Sequence, residues 1–113
     1  MVKEENNAGD MIIGLTGTIG SGKSTIATYL KSKGFQYITI SDIIREEALR
    51  KGIFIQRKEL QDLGNKMRKL HGNNYWARQA VKKLKPNENS IIDGIRNLGE
   101  IEELKNLPKF ILI

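Results

Sequence analysis

Short apolar blocks and longer amphipathic blocks alternate along this chain, which predicts strands and helices in turn. Apolar runs of four to six residues are typical of buried strands and occur at Met11–Thr16, Phe35–Ile40, Ser90–Asp93 and Lys109–Ile113. Elsewhere the apolar residues recur every three or four positions, which predicts helices. The first helix is expected over 26–33, and the second runs from an N-cap pair, Ser41–Asp42, to Gly52. Two further helices are indicated by the apolar stripes Leu60/Leu63/Met67/Leu70 and Trp76/Ala80/Val81/Leu84. The last helix is expected over 98–107. The alternation favours an α/β fold in three layers, an open parallel sheet with helices on both faces.

A glycine-rich segment joins the first predicted strand to the first predicted helix. Its sequence, GTIGSGKST from Gly17 to Thr25, matches the pattern G-x-x-x-x-G-K-[ST] of phosphate-binding loops. Glycines let successive backbone N–H groups turn toward one anion, and the start of the following helix adds partial positive charge there. A glycine-rich turn kept only for packing is the alternative, but both flanks of the motif are correct.

The loop therefore predicts binding of a nucleoside triphosphate together with Mg²⁺. The residues expected to bind the nucleotide are Gly17, Thr18, Gly20, Ser21, Gly22, Lys23, Ser24 and Thr25. Lys23 is expected to reach the β- and γ-phosphates as a catalytic residue, and the Ser24 hydroxyl to ligate the metal.

Composition limits the class of protein without deciding it. The 113 residues include no cysteine, so neither disulfides nor thiolate metal sites contribute. Residues 1–10 are polar and mixed in charge, which predicts a loose tail rather than a signal peptide. No apolar run approaches the roughly 20 residues needed to span a bilayer. We expect a cytoplasmic protein with one domain over 11–113.

Positive charge is concentrated in one segment. Residues 57–85 contain nine basic and two acidic residues, a net charge of +7, whereas the whole chain carries +6. Such a field favours anionic partners, either nucleotides or RNA. A lysine-rich solvated helical surface is an equally good explanation for most of these residues.

Two Asp–Arg pairs follow predicted strands, where parallel sheets carry their chemistry. Asp42 and Arg45 follow the second strand, and Asp93 and Arg96 come at and after the third. An Asp at such a strand end can hold the waters of a metal ion, and arginines grip phosphate oxygens bidentately. Alternatively, Asp42 is only a helix cap and Arg96 pairs with Glu100 or Glu103.

These motifs together resemble the nucleoside-monophosphate-kinase branch of P-loop proteins, which includes dephospho-coenzyme A kinase. The run IGLTGTIGSGKST from Ile13 to Thr25 is close to the IGLTGGIGSGKS of dephospho-coenzyme A kinases. Further on, SDIIR from Ser41 to Arg45 resembles the G-D-L-L-R of adenylate kinases, and IDGIR from Ile92 to Arg96 resembles their L-D-G-F-P-R. The resemblance covers residues 12–113.

The resemblance implies a P-loop sheet in the order 2-3-1-4, with the family's fifth strand and catalytic lid missing, so that the domain is incomplete at its C-terminus. It implies that Arg45 and Arg96 bind the acceptor phosphate, that Asp93 serves the Mg²⁺ waters, and that 57–85 is a basic, helical acceptor-binding insert. Asp42 is expected to position or deprotonate the acceptor. Glu100 stands where adenylate kinases carry a glutamine, which weakens the case for adenine recognition. Residues 110–113 would form an exposed edge strand able to self-associate.

The expected function is therefore transfer of the γ-phosphoryl group of ATP to a nucleotide-type acceptor, a nucleoside monophosphate or dephospho-coenzyme A. The alternative is a non-catalytic ATP-sensing module, for example the N-terminal part of a larger, deaminase-fused protein. The D-x-x-G and N-K-x-D motifs of switch GTPases and the Asp-Glu of motor ATPases are absent. RNA binding is a weaker rival, because no aromatic stacking platform accompanies the lysines.

Overall fold

The computed structural model describes residues 11–16 and 22–113, and its elements alternate as the apolar pattern predicts. The strands in this described part are β1 (Ile12–Leu15), β2 (Gln36–Thr39), β3 (Ser90–Asp93) and β4 (Phe110–Leu112). The helices are α1 (Lys23–Ser32), α2 (Ile40–Arg50), α3 (Arg57–His71), α4 (Tyr75–Val81) and α5 (Leu98–Lys105). The predicted α/β class is confirmed.

The four strands form one parallel sheet in the order β2-β3-β1-β4, as predicted. In this register Leu15 pairs with Asp93, and Asp93 pairs with Thr39 on its other side. The ends of β1, β3 and β2 are therefore level. Residues that follow these strands meet at one edge of the sheet, where ligands of such folds bind.

Alternate residues of the central strands pack into two separate cores, which makes the fold three-layered. Ile12 and Ile92 belong to a large core filled by α2 to α5. Ile13 and Ile91 belong to a smaller core that α1 covers through Ala27. Successive side chains of a strand point to opposite faces, so each strand contributes to both cores.

Gly14 in β1 allows the large core to close against the sheet. A Cβ atom built there would lie 2.7 Å from the Phe110 ring and 2.8 Å from Ile95 Cδ1, distances too short for any side chain. The absence of a side chain at Gly14 thus lets Phe110 and Ile95 pack directly on the central strand.

Two helix starts differ from the sequence expectation. α1 begins at Lys23, three residues earlier than predicted, and Gly22 before it has a left-handed φ of 88°. α2 begins at Ile40, and the hydroxyl of Thr39 accepts the backbone N–H of Asp42 at 2.9 Å. The predicted N-cap pair Ser41–Asp42 is therefore wrong. Thr39 caps the helix because its hydroxyl stands three residues before an unpaired N–H.

The apolar stripe of α3 is shorter than predicted. Leu63 and Met67 are buried, but Leu70 is 63% exposed and lies at a surface pocket beside His71. The last turn of α3 therefore contributes little to the core.

Strand β4 lies beside β1 and exposes apolar side chains. Ile111, Leu112 and Ile113 are each at least 40% exposed, and within the described residues β4 pairs only with β1. Self-association through this edge stays a prediction. Sedimentation at increasing protein concentration tests it, and a monomer at every concentration would contradict it.

Candidate functional site

An ion pair joins the end of β3 to the start of α1. Lys23 Nζ lies 2.9 Å from Asp93 Oδ1, and the side chains are 22% and 10% exposed. Leu15, which leads into the phosphate-binding loop, pairs with Asp93 in the sheet, so the loop and the carboxylate are neighbours. The structure thus brings together two of the predicted site residues.

Tyr37 of β2 holds the other oxygen of the same carboxylate. Its hydroxyl donates a hydrogen bond of 2.5 Å to Asp93 Oδ2. Thr39 pairs with Asp93, and Tyr37 stands two residues earlier on the same face of the sheet. Burial and this hydrogen bond raise the pKa of the Tyr37 hydroxyl to about 12. The hydroxyl therefore keeps its proton at neutral pH and acts as a hydrogen-bond donor. We call Lys23, Tyr37 and Asp93 the lysine site.

Asp93 is ionised in this setting although it is only 7% exposed. Burial alone would raise the pKa of the carboxyl group, but the hydrogen bond from Tyr37 and the Lys23 ammonium together hold it below its ordinary value. By distance Lys23 forms an ion pair with Oδ1, yet no hydrogen-bond donor in the described residues is aligned with that oxygen. The contact between Lys23 and Oδ1 is therefore electrostatic.

The structure describes only some of the other residues predicted to bind the nucleotide. Gly17, Thr18, Gly20 and Ser21 lie outside the described residues. Ser24 and Thr25 lie in the first turn of α1, are exposed, and line a surface depression with Thr28 and Tyr29. No hydrogen bond joins Ser24 to Asp93 among the described contacts, and their sharing of a metal ion stays a prediction.

A larger groove lies between α2, α3 and the segment after β3. Its volume is about 530 Å³, and the residues that line it include Arg45, Arg57, Arg68 and Arg96. We call it the arginine groove. Ile44 and Leu60 add apolar surface. Arg45 and Arg96, predicted from separate motifs, line the same groove.

The two acids near the groove are each paired with one of its arginines. Asp42 Oδ1 accepts a 2.7 Å hydrogen bond from Arg45 on the exposed first turns of α2. Glu100 is fully buried, and its Oε2 lies 3.5 Å from Arg68 Nη2. Within the described part of the chain, Arg57 and Arg96 have no ion-pair partner, so these two cations are available to an anion.

Glu100 does not pair with the Arg96 side chain, which was one alternative from the sequence. Its Oε1 accepts the backbone N–H of Arg96 at 2.7 Å, and its own N–H donates to Asn97 Oδ1 at 2.8 Å. Asn97 caps α5, and Glu100 completes the turn at the third helical position. Glu100 is therefore held inside the protein, where it anchors Arg68.

Sequence reasoning missed Tyr37, and it included Arg57 and Arg68 only as members of the basic segment 57–85. A signal exists for the arginines, because Arg57 and Arg68 are eleven residues apart, close to three helical turns, and so share one face of α3. No comparable signal marks Tyr37, since strand alternation gives its face but not the partner of its hydroxyl.

The sheet order, the phosphate-loop sequence and the lysine site together define a P-loop nucleotide-binding protein. A family model described as an AAA domain matches residues 13–112. The chain therefore belongs to this AAA-domain family, within the P-loop kinase-like superfamily.

Archaeal proteins named UPF0200 are among its curated relatives. The chain is 35% identical over 102 residues to the one from Sulfurisphaera tokodaii, covering 90% of this chain and 56% of that protein. Identity to the Thermococcus kodakarensis protein is 36% over 95 residues, covering 80% and 51%. Identity to the Thermoplasma volcanium protein is 34% over 103 residues, covering 91% and 57%. The chain thus spans about half the length of the curated relatives it matches.

None of the helices in residues 22–113 combines the length and the apolar character needed to cross a membrane.

Proposed function

We propose that the protein is an ATP-dependent small-molecule kinase that transfers the γ-phosphoryl group of ATP to a nucleotide-type acceptor in the cytoplasm. The acceptor would be a nucleoside monophosphate or dephospho-coenzyme A. One observation carries this proposal: the arginine groove is lined by Arg96, three residues beyond the Asp93 that pairs with Lys23. A donor phosphate on the lysine site and an acceptor in the groove would then be neighbours.

On the donor side, Lys23 would exchange Asp93 for the β- and γ-phosphates. Bound ATP would supply the phosphoryl group. Mg²⁺ would be held by the Ser24 hydroxyl and by water molecules that Asp93 binds, and it would neutralise the charge of the phosphates. Oδ1 of Asp93, which Lys23 would leave on binding the phosphates, fits this use. Among the described residues no three His, Asp or Glu side chains gather in one place, but Mg²⁺ shared with phosphates needs only one or two carboxylates.

On the acceptor side, Arg45 and Arg96 would hold the acceptor phosphate in line with the donor. Arginine suits this task because its planar guanidinium binds two phosphate oxygens at once. Asp42 would fix the orientation of Arg45 through their ion pair, or accept the proton of a hydroxyl acceptor. Positioning and charge neutralisation then provide most of the catalysis.

The basic segment 57–85 would serve this acceptor rather than a nucleic acid. Two of its cations, Arg57 and Arg68, line the groove. Two others are paired within the protein: Lys58 with Asp62 at 2.9 Å and Lys83 with Glu46 at 2.7 Å. Much of the positive charge is thus already directed at the groove or neutralised.

Conservative substitutions of the two predicted acceptor arginines test the proposal. We expect Arg45→Lys and Arg96→Lys to weaken acceptor binding about tenfold and to leave ATP binding near normal, because lysine cannot bind two oxygens at once. Competition binding against a panel of nucleoside monophosphates and dephospho-coenzyme A measures both. Arg50→Lys is the matched control, since Arg50 is an exposed arginine of α2 that pairs with Glu47 outside the groove. If no panel member binds the parent protein, or if ATP binding falls equally, the kinase proposal fails and a nucleotide-sensing module replaces it.

A further inference from the structure

One face of α3 forms a wall of the arginine groove along three helical turns. The α3 residues that line the groove are Arg57, Leu60, Gln61, Gly64, Asn65 and Arg68. Their spacing of three and four residues places them in one stripe. Its two ends are arginines, about 16 Å apart along the helix at 1.5 Å per residue.

The inner end of the stripe is fixed by a buried carboxylate. Arg68 is 13% exposed and faces Glu100 at 3.5 Å, and Glu100 is anchored by the backbone of Arg96. Arg68 is therefore held beside the segment that follows β3. The Nε and Nη2 atoms of Arg68 are buried with no hydrogen-bond partner. Arg68 and Glu100 therefore attract each other as an ion pair without forming a hydrogen bond.

Gly64, in the middle of the stripe, has no side chain that would fill the groove. A Cβ atom there would lie 3.3 Å from Ile44 Cδ1 and 3.5 Å from Arg68 Nη1. The glycine carbonyl also accepts a 3.1 Å hydrogen bond from the Trp76 indole, which fixes this turn of α3 against the core. The groove consequently continues past Gly64 from its inner to its outer end.

The outer end carries a cation without an internal partner. Arg57 is exposed and makes no ion pair within residues 22–113, whereas its neighbour Lys58 pairs with Asp62. Arg68 Nη1 would lie 3.5 Å from a Cβ atom on Gly64, so an anion held beside it is about two helical turns, roughly 10 Å along the helix, from Arg57. This separation is larger than one phosphate group spans. Arg57 therefore needs a different anionic group if it is to bind the same ligand.

We propose that Arg57 binds a second anionic group of the acceptor, so that the preferred acceptor is a nucleotide carrying two separated phosphate groups. This inference rests on the proposed function, because it concerns the acceptor of the same groove. Arg96 holds the inner phosphate, Arg68 adds fixed positive charge beside it, and Arg57 holds the outer one. A compact nucleoside monophosphate occupies only the inner end.

Binding of two adenine nucleotides tests the proposal. The probes are AMP, with one phosphate group, and adenosine 3′,5′-bisphosphate, with two, titrated calorimetrically into the 113-residue protein at one fixed salt concentration. We expect the bisphosphate to bind about tenfold tighter than AMP. We expect Arg57→Gln to remove most of this advantage and to weaken AMP binding far less than bisphosphate binding.

Lys58→Gln is the matched control, because it removes the same charge from the same turn of α3 but outside the groove. It should keep the full advantage of the bisphosphate. The inference is overturned if the parent protein does not prefer the bisphosphate, if Arg57→Gln keeps the preference, or if both substitutions reduce it equally. Those results leave the acceptor site itself standing. Failure of the parent to bind either nucleotide while it still binds ATP instead overturns the proposed function.

Discussion

The lysine site and the arginine groove differ in how far their charged side chains are paired within the protein. In the lysine site, both oxygens of Asp93 lie within 3 Å of a partner, Tyr37 or Lys23. In the groove, Arg57 and Arg96 have no acidic partner in the described chain, although Arg45 and Arg68 do. The charges of the lysine site are thus paired with each other, whereas the arginine groove carries excess positive charge.

Burial explains the difference. Asp93 is 7% exposed, and a charge so far from water is costly unless an opposite charge or hydrogen bonds compensate it. Arg57 and Arg96 remain in contact with solvent, so they need no internal partner. The lysine site must therefore be disassembled to admit a phosphate, whereas the groove can receive an anion as it stands.

The strongest way to break this comparison is to remove the cation of the lysine site. We expect Lys23→Ala to weaken ATP binding about 10- to 100-fold, since one charge-assisted contact contributes about 1.5–3 kcal/mol. AMP binding should change far less if AMP occupies the groove. Calorimetric titration of both nucleotides measures this, with Lys33→Ala as an exposed control at the end of α1. Equal affinity of mutant and parent for ATP would contradict the assignment of Lys23.

A smaller effect is expected from the buried carboxylate. Asp93→Asn should lower the free energy of unfolding by about 1–2 kcal/mol at neutral pH, because it removes the charge that Lys23 and Tyr37 surround. The pKa of Asp93 is lowered in the folded protein, so its contribution is present above the ordinary value of 3.8 and is lost as the pH falls through the folded value. The stability difference between parent and variant should therefore shrink in acid.

Urea unfolding followed by the fluorescence of Trp76, the one tryptophan of the chain, measures this difference at each pH. Asp62→Asn serves as a control because Asp62 is an exposed carboxylate paired with Lys58. A difference between parent and Asp93→Asn that stays constant into acid would contradict the lowered pKa.

The smallest predicted effect concerns the tyrosine of the lysine site. The pKa of Tyr37 is raised from 10.0 to about 12, so the stability that it contributes is complete below pH 10.0 and is lost as the pH rises toward 12. In an ultraviolet titration of tyrosine ionisation, we expect Tyr37→Phe to remove the component that ionises near pH 12. Tyr29→Phe is the control and should leave the component near pH 12 in place. A Tyr37→Phe titration that keeps the pH 12 component would show that Tyr37 does not hold Asp93.

Local patterns predict the strands, and the resemblance to nucleoside-monophosphate kinases implies their order. Lys23 and Asp93 are both predicted site residues, but the ion pair between them is not predicted. The sequence does not predict the pair Arg68–Glu100 either. Those residues come from α3 and α5, and their distance depends on how both helices pack around the buried Trp76. The start of α2 was misplaced for a local reason, since Thr39 and Ser41 are both good capping residues and only the backbone path decides between them.

The position of β1 in the sheet also sets the order in which the protein can assemble. Ile12 belongs to the first described strand, but its partners in the neighbouring strands are Ser90 and Phe110. During synthesis β1 therefore leaves the ribosome long before either neighbour exists, and closing such long loops slows folding. The strand that leads into the phosphate-binding loop therefore stays unpaired until β3 is made, which prolongs the exposure of its apolar residues.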